Sequence, residues 1–197
     1  MQGHLYFILW VSGSGKWTLR DNLQSSSLTK NLLFVHSYVT RPMRPWEIQG
    51  DKYHFVSETE FLKSVDAGEF LEYEWVHNAA YYGTKKKDVE QGIQAGKIVL
   101  SEIDTKGLKQ VLEKHPNFKK NYTSFFLDVP DEEIKRRYFE RHSDGKIEDI
   151  QNRLESAQFE RAQADEYCDY IIDATQSPES VLEEVLAIIE YTWNSIS

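Results

Sequence analysis

Phe7-Ile8-Leu9-Trp10-Val11-Ser12-Gly13-Ser14-Gly15-Lys16-Trp17-Thr18-Leu19 is the stretch that decides the fold. An apolar run over 5–11 ends in Ser12-Gly13-Ser14-Gly15-Lys16, and a polar, helix-compatible segment follows. Strand, glycine-rich loop and helix in that order are the frame of a P-loop, G-x-x-x-x-G-K-[ST]. Gly15 and Lys16 satisfy the pattern, whereas Trp10 stands at its first glycine and Trp17 at its Ser/Thr. Gly13 and Gly15 lack a Cβ, so the backbone there can turn tightly and aim successive amides inward. Those amides and the N-terminus of the next helix form a nest for phosphate oxygens, to which Lys16 adds a point charge. Taken alone, the loop fits nucleotide binding and a plain Gly/Ser turn equally well.

Composition bounds the rest. A chain of 197 residues suits one domain, or one domain with inserted subdomains, and buries about 70% of its unfolded surface without staples. A net charge of −9 argues against non-specific nucleic-acid binding. The single cysteine, Cys168, excludes an internal disulfide and a Cys-based zinc site, and is expected to be a small buried residue near a strand. The six histidines lack metal-ligand spacing. No apolar run reaches the length of a membrane span, and the N-terminal residues carry no signal-peptide pattern. A cytoplasmic protein is expected.

Outward from the loop, strands are expected at 5–11, 32–37, 53–56, 70–76, 80–82, 97–104, 123–128 and 169–173. Helices are expected from 18 to about 26, and at 58–67, 85–95, 107–115, 131–141, 147–166 and 178–193. Ser57 with Glu60 is a capping box for the second helix. A turn is expected at 77–79 and another at 142–146. Strands alternating with helices mean an α/β fold with a mostly parallel sheet. The stretch 37–84 is richer in short strands and turns, and reads as a small antiparallel insertion.

Four groups of residues need one explanation: the P-loop; Arg41, Arg44, Glu47 and Tyr53; Glu72 with Tyr81-Tyr82-Gly83-Thr84; and the arginines 136, 137, 141 and 153. T-R-P-x-R-P-x-E-x-x-G-x-x-Y-x-F-V (40–56), G-E-F-L-E (68–72), Y-Y-G-T (81–84) and E-I-D-x-x-G (102–107) occur in this order. Together they resemble guanylate kinase over nearly the whole chain. The resemblance implies a P-loop NTPase-type, mostly parallel sheet flanked by helices. It implies a single domain, 1–197, with a core of about 1–36, 85–130 and 155–197. A small mixed or antiparallel GMP-binding subdomain would span about 37–84, and a helical lid about 131–154.

The resemblance also implies roles. ATP would lie on Ser12, Gly13, Ser14, Gly15, Lys16 and Thr18. The catalytic set would be Lys16 with the lid arginines Arg137, Arg141 and Arg153. Arg41, Arg44, Tyr53 and Tyr82 would hold the GMP phosphate, as guanidinium forks and phenol donors suit a dianion. Glu72 would read guanine, because an ionised carboxylate accepts from N1–H and N2–H, and adenine offers an acceptor at N1. Ser37 and Thr84 would bond the base, with Glu47 and Asp104 nearby. Glu102 and Asp104 would hold water on a Mg²⁺ that arrives with ATP. The implied reaction is ATP + GMP to ADP + GDP, by a monomer or homodimer with no nucleic-acid or membrane partner. Two alternatives stand beside it: an impaired module that binds a phosphorylated ligand or peptide, and a kinase of a phosphorylated sugar, which would not need Glu72.

Three positions depart from the family pattern, and all three are tryptophan: Trp10, Trp17 and Trp46. Each stands where relatives carry glycine or another small residue, and glycine is scarce, 10 residues in 197, against a usual ~7%. A gene in which UGA encodes glycine, read with UGA as tryptophan, gives this pattern, and so does a native chain with a bulky loop. The bulk is expected to crowd the phosphate nest. UGA codons at all three positions would decide for the first reading.

Overall fold

The computed structural model describes residues 3–26, 30–76, 79–143 and 145–195. Nine strands and seven helices alternate among the described residues. The chain divides into two compact units, one of Met1–Tyr6 with Asn31–Tyr122 and the other of Phe7–Lys30 with Thr123–Ser197. The expected strand at 5–11 is β1 (His4–Trp10), which gives its first residues to one unit and its last to the other. It is buried on both faces as far as Leu9, as the unbroken apolar run requires. β1 is the middle strand of a five-stranded sheet ordered β2-β7-β1-β8-β9.

In the first unit, β2 (Leu32–Val35) pairs in parallel with β7 (Ile98–Glu102). Helix α3 (Lys86–Gln94) packs on both. Gly92 permits the approach: a Cβ there would stand 2.7 Å from both Leu33 and Val99. The expected strand at 32–37 is two strands. The chain breaks at His36, and β3 (Ser37–Val39) leaves for a second sheet. That sheet is ordered β4-β3-β6-β5, with β4 Tyr53–Phe55, β5 Phe70–Val76 and β6 Ala80–Lys85. It is mixed, parallel between β3 and β4 and antiparallel elsewhere. Helix α2 (Glu58–Asp66) opens on the expected capping box: Ser57 Oγ accepts from the Glu60 amide and Glu60 accepts from the Ser57 amide. Phe61 of α2 stacks on Phe70 and Tyr81, at centroid distances of 4.3 and 5.3 Å, and so fixes the helix to the small sheet. Most of the turn expected at 77–79 lies outside the described residues.

Helix α4 (Thr105–Lys114) starts two residues earlier than periodicity suggests, because Asp104 is its N-cap. A 3₁₀ turn, Pro116–Asn121, leads out of this unit.

In the second unit, α1 (Lys16–Gln24) begins at the loop lysine, since Gly15 caps it in the left-handed region at φ 94°. β8 (Tyr122–Asp128), whose first residue still belongs to the first unit, pairs in parallel with β9 (Tyr170–Asp173). α7 (Pro178–Ser195) packs on α1. α5 (Asp131–Arg141) and α6 (Ile147–Tyr167) pack together. Arg161 of α6 ties them to the sheet through Asp128 and Asp131, at 2.8 and 2.6 Å. Cys168, expected to be buried, is half-buried where α6 ends. None of the described helices is long and apolar enough to cross a membrane.

Candidate active site

Each unit carries one cluster of the residues singled out by the sequence. In the second unit the loop after β1 turns through Gly13 at φ 84° and Gly15 at φ 94°, backbone that L side chains avoid. Arg137 of α5 holds the loop from above. It donates to the Gly13 carbonyl at 2.9 Å, to the Ala174 carbonyl at 2.9 Å and to Glu133 at 2.5 Å. Arg153 of α6 donates to Ser12 Oγ. A cavity of about 300 Å³ opens here, lined among others by Ser14, Gly15, Thr18, Arg136, Arg137 and Arg141. Ser14 Oγ is buried with no partner among the described residues, so the loop keeps an unspent hydroxyl beside its amides.

Lys16 does not stand alone in the loop. Its ammonium lies 3.4 Å from the centroid of the Trp10 ring and 4.5 Å from that of Trp17. The expected crowding therefore takes a different form. Trp10 sits half-buried in an ordinary strand, Trp17 is 41% exposed and Trp46 is 76% exposed. The two indole faces hold the cation, at about 0.5–2 kcal/mol each.

In the first unit Arg41 makes a two-pronged pair with Glu47, at 2.7 and 2.6 Å, and donates to the Tyr82 hydroxyl at 3.0 Å. Its guanidinium lies 5.3 Å from the Tyr53 ring centroid. Glu47 also accepts from the Arg44 amide at 2.8 Å. The Arg41 hydrogen bonds draw the Glu47 carboxyl down to about 2. Glu47 is thus the brace of the arginine. The Arg44 side chain is exposed, and Ser37 opens β3 opposite Tyr53.

Glu72 lies on β5 opposite Thr84 on β6. It is 8% exposed, and the buried Thr84 hydroxyl lies beside its carboxyl and pulls it down against burial. Burial pushes the Glu72 carboxyl up to about 7, with the Asp104 charge adding to it. Burial also pushes Asp104 up to about 6, against the pull of the Gly107 amide. Asp104 accepts from that amide at 2.7 Å, so the cap commits one of its oxygens. Among the described residues no group of three or more His, Cys, Asp or Glu side chains is arranged to hold a metal.

Three residues at these clusters carry no assignment from sequence. Glu133 orients Arg137 and Arg136; its position three and four residues before them is a readable helix signal. Glu74 takes an ion pair from Lys106 at 2.9 Å beside Asp104. Gly107 closes the E-I-D-x-x-G motif without an assigned role: a Cβ there would come 2.7 Å from Ile103 and 3.1 Å from the Glu72 carboxylate, so the missing side chain makes room for both. Asp173 closes its own turn by accepting from Thr175, and Lys85 is taken by Glu69 and Ser64.

A family model described as Guanylate kinase matches residues 2–192. A guanylate kinase from Thermotoga maritima is 36% identical over 191 residues, 96% of this chain and 87% of the relative. One from Helicobacter pylori is 40% identical over 183 residues, 91% and 84% of the two chains. Among solved structures, the crystal structure of guanylate kinase from Anaplasma phagocytophilum aligns with a TM-score of 0.73 at 25% identity. It covers 98% of this chain and 87% of that one.

The raised Glu72 carboxyl sets a stability prediction. The unfolded chain releases this proton near 4.5, while the fold keeps it to about 7. Glu72 therefore costs no stability below the lower value, and subtracts stability as pH rises between the two. At pH 8 the deficit is complete, on the order of 3 kcal/mol. Glu72→Gln is expected to raise the urea midpoint at pH 8 relative to the parent, and to lose that advantage at pH 5. An equal difference at both pH values would contradict the burial account.

Proposed function

The chain belongs to the guanylate kinase family and is a phosphotransferase acting on a nucleoside monophosphate, and on that premise we propose that it moves the γ-phosphoryl group of ATP to GMP. The single observation that carries the acceptor is the buried Glu72 carboxyl beside the buried Thr84 hydroxyl. Ionised, it accepts from guanine N1–H and N2–H. Thr84 Oγ1 donates to O6. Adenine meets the same carboxylate with a bare ring nitrogen, so the pair selects guanine by leaving adenine's edge unpaired.

Arg41, braced by Glu47 and beside Tyr82 and Tyr53, presents charge and hydroxyls to the acceptor phosphate, and the exposed Arg44 closes on it as a second guanidinium. Ser37, at the start of β3, supports the base side with Asp104, whose capping of α4 keeps Gly107 and Glu72 in register. On the donor side, the amides of Ser12–Lys16 take the ATP phosphates, Ser14 and Thr18 add hydroxyls, and Lys16 supplies charge. Arg137, Arg141 and Arg153 neutralise the peripheral oxygens of the group in flight, where a loose transition state holds its charge. No side chain needs to act as base, because the attacking phosphate oxygen is already ionised. Mg²⁺ would arrive with ATP, and Glu102 and Asp104 are the carboxylates that would hold water on it. The ion would supply charge to the β- and γ-oxygens. The phosphopeptide-binding alternative is set aside, since Lys16, Arg137, Arg141 and Arg153 all remain.

A coupled ADP-release assay with GMP tests the reading. Arg41→Ala is expected to raise the KM for GMP about tenfold or more, the loss of charge-assisted bonds of about 1.5–3 kcal/mol, with little change for ATP. In the parent, the KM for GMP is expected to rise as pH falls below about 7, as Glu72 takes up the proton that guanine must displace. Glu72→Gln should keep only the weaker dependence that the GMP phosphate's own second ionisation imposes. Trp10→Gly with Trp17→Gly removes both indole faces from Lys16 and is expected to tighten ATP by about tenfold. Unchanged ATP affinity in the double variant would mean that the indoles do not compete with phosphate.

A further inference from the structure

The first unit holds a second cavity, of about 310 Å³, that shares no residue with either cluster. Leu71, Lys86, Val89, Glu90, Lys114, His115, Pro116 and Phe118 line it, and its volume is at the lower end of small-molecule sites. Half of the lining is apolar: Leu71, Val89, Pro116 and Phe118. The charged half is unusual for so acidic a chain. Lys86 donates to the Gly68 carbonyl and Lys114 to the Gln110 side chain, at 2.9 and 3.0 Å. Both ammoniums thus rest on neutral acceptors, and Glu90 on the rim leaves one positive charge in excess. Burial, and then the fields of Lys86 and Lys114, hold the His115 imidazole below its ordinary value, so it adds a flat, uncharged face.

Leu71 connects this cavity to the guanine reader. The β5–β6 ladder slips between Phe70 and Glu72, which makes Leu71 the extra residue of a bulge. Bulges re-aim the neighbouring side chain. The Leu71 carbonyl also acts on the His115 ring, so the cavity wall includes the backbone that sets Glu72.

We propose that this cavity binds a small, flat, apolar molecule carrying one anionic group, and that its occupancy changes acceptor recognition through Leu71. The apolar body packs between Phe118, Pro116 and Val89, and the anion meets Lys114 and Lys86. The binding claim is independent of the proposed reaction; the coupling to GMP rests on it.

The test is equilibrium dialysis of the full chain with 2-naphthoate, with and without saturating GMP and ATP. Saturable one-to-one binding is expected in all cases. Lys114→Glu is expected to weaken it about tenfold or more, as the loss of one charge-assisted contact. Phe118→Ala is expected to weaken it without touching any charge. Thermal midpoints matching the parent identify folded variants. Saturating 2-naphthoate is expected to shift the KM for GMP about fivefold, the low end of ordinary inter-site coupling, and to leave that for ATP unchanged. No saturable binding, displacement by either nucleotide, or unchanged affinity in a folded variant would overturn the site. Binding without a shift in KM would overturn the coupling. Absence of GMP turnover in the parent would contradict the proposed reaction, while dialysis alone still decides the site.

Discussion

A carboxylic acid taken out of water constrains much of the first unit. Glu72 is buried on β5, and the nearest charges that act on it are carboxylates, Asp104 and Glu74. Such a group is costly to ionise, so the fold surrounds it with parts that leave space and hold position. Gly107 contributes the absence of a side chain. Asp104 caps α4 and keeps Gly107 where it is. β6 places Thr84 opposite. On the proposed function, a ligand that offers two donors would offset this cost, so that selectivity comes at the expense of stability.

The second unit follows a different rule, the satisfaction of arginines by fixed acceptors. Arg137 reaches the loop, the end of β9 and Glu133 at once, so the turn of the loop and the position of α5 are set together. Lys16 is held by aromatic faces, which satisfy a cation without neutralising it.

Much of this was legible in the sequence. The unbroken apolar run of β1, the capping box at Ser57 and the helix at 131–141 follow from local rules, and the ordered motifs point to the family. Long-range facts were not legible. Nothing in 32–37 says that His36 divides two sheets, because strand propensity carries no address for a pairing partner. Asp104 reads as a strand end until the cap is seen. Gly107 is explained by the packing of Ile103 and by a residue 35 positions earlier in the chain, and the tryptophans read as intruders in a tight loop until their exposure and their contact with Lys16 are known. The roles of Arg44, Arg141 and Ser37 rest on the family pattern more than on contacts within the chain.

The central claim is that Glu72 must lose a proton to take the base. Calorimetric titration of GMP at pH 6, in two buffers of different ionisation enthalpy, tests it most directly. With the carboxyl at about 7, the parent should release about one proton more per GMP at pH 6 than Glu72→Gln does, since the ligand's own phosphate titrates equally in both, and the two should match at pH 8.5. Equal proton release by the parent and Glu72→Gln at pH 6 would contradict the account.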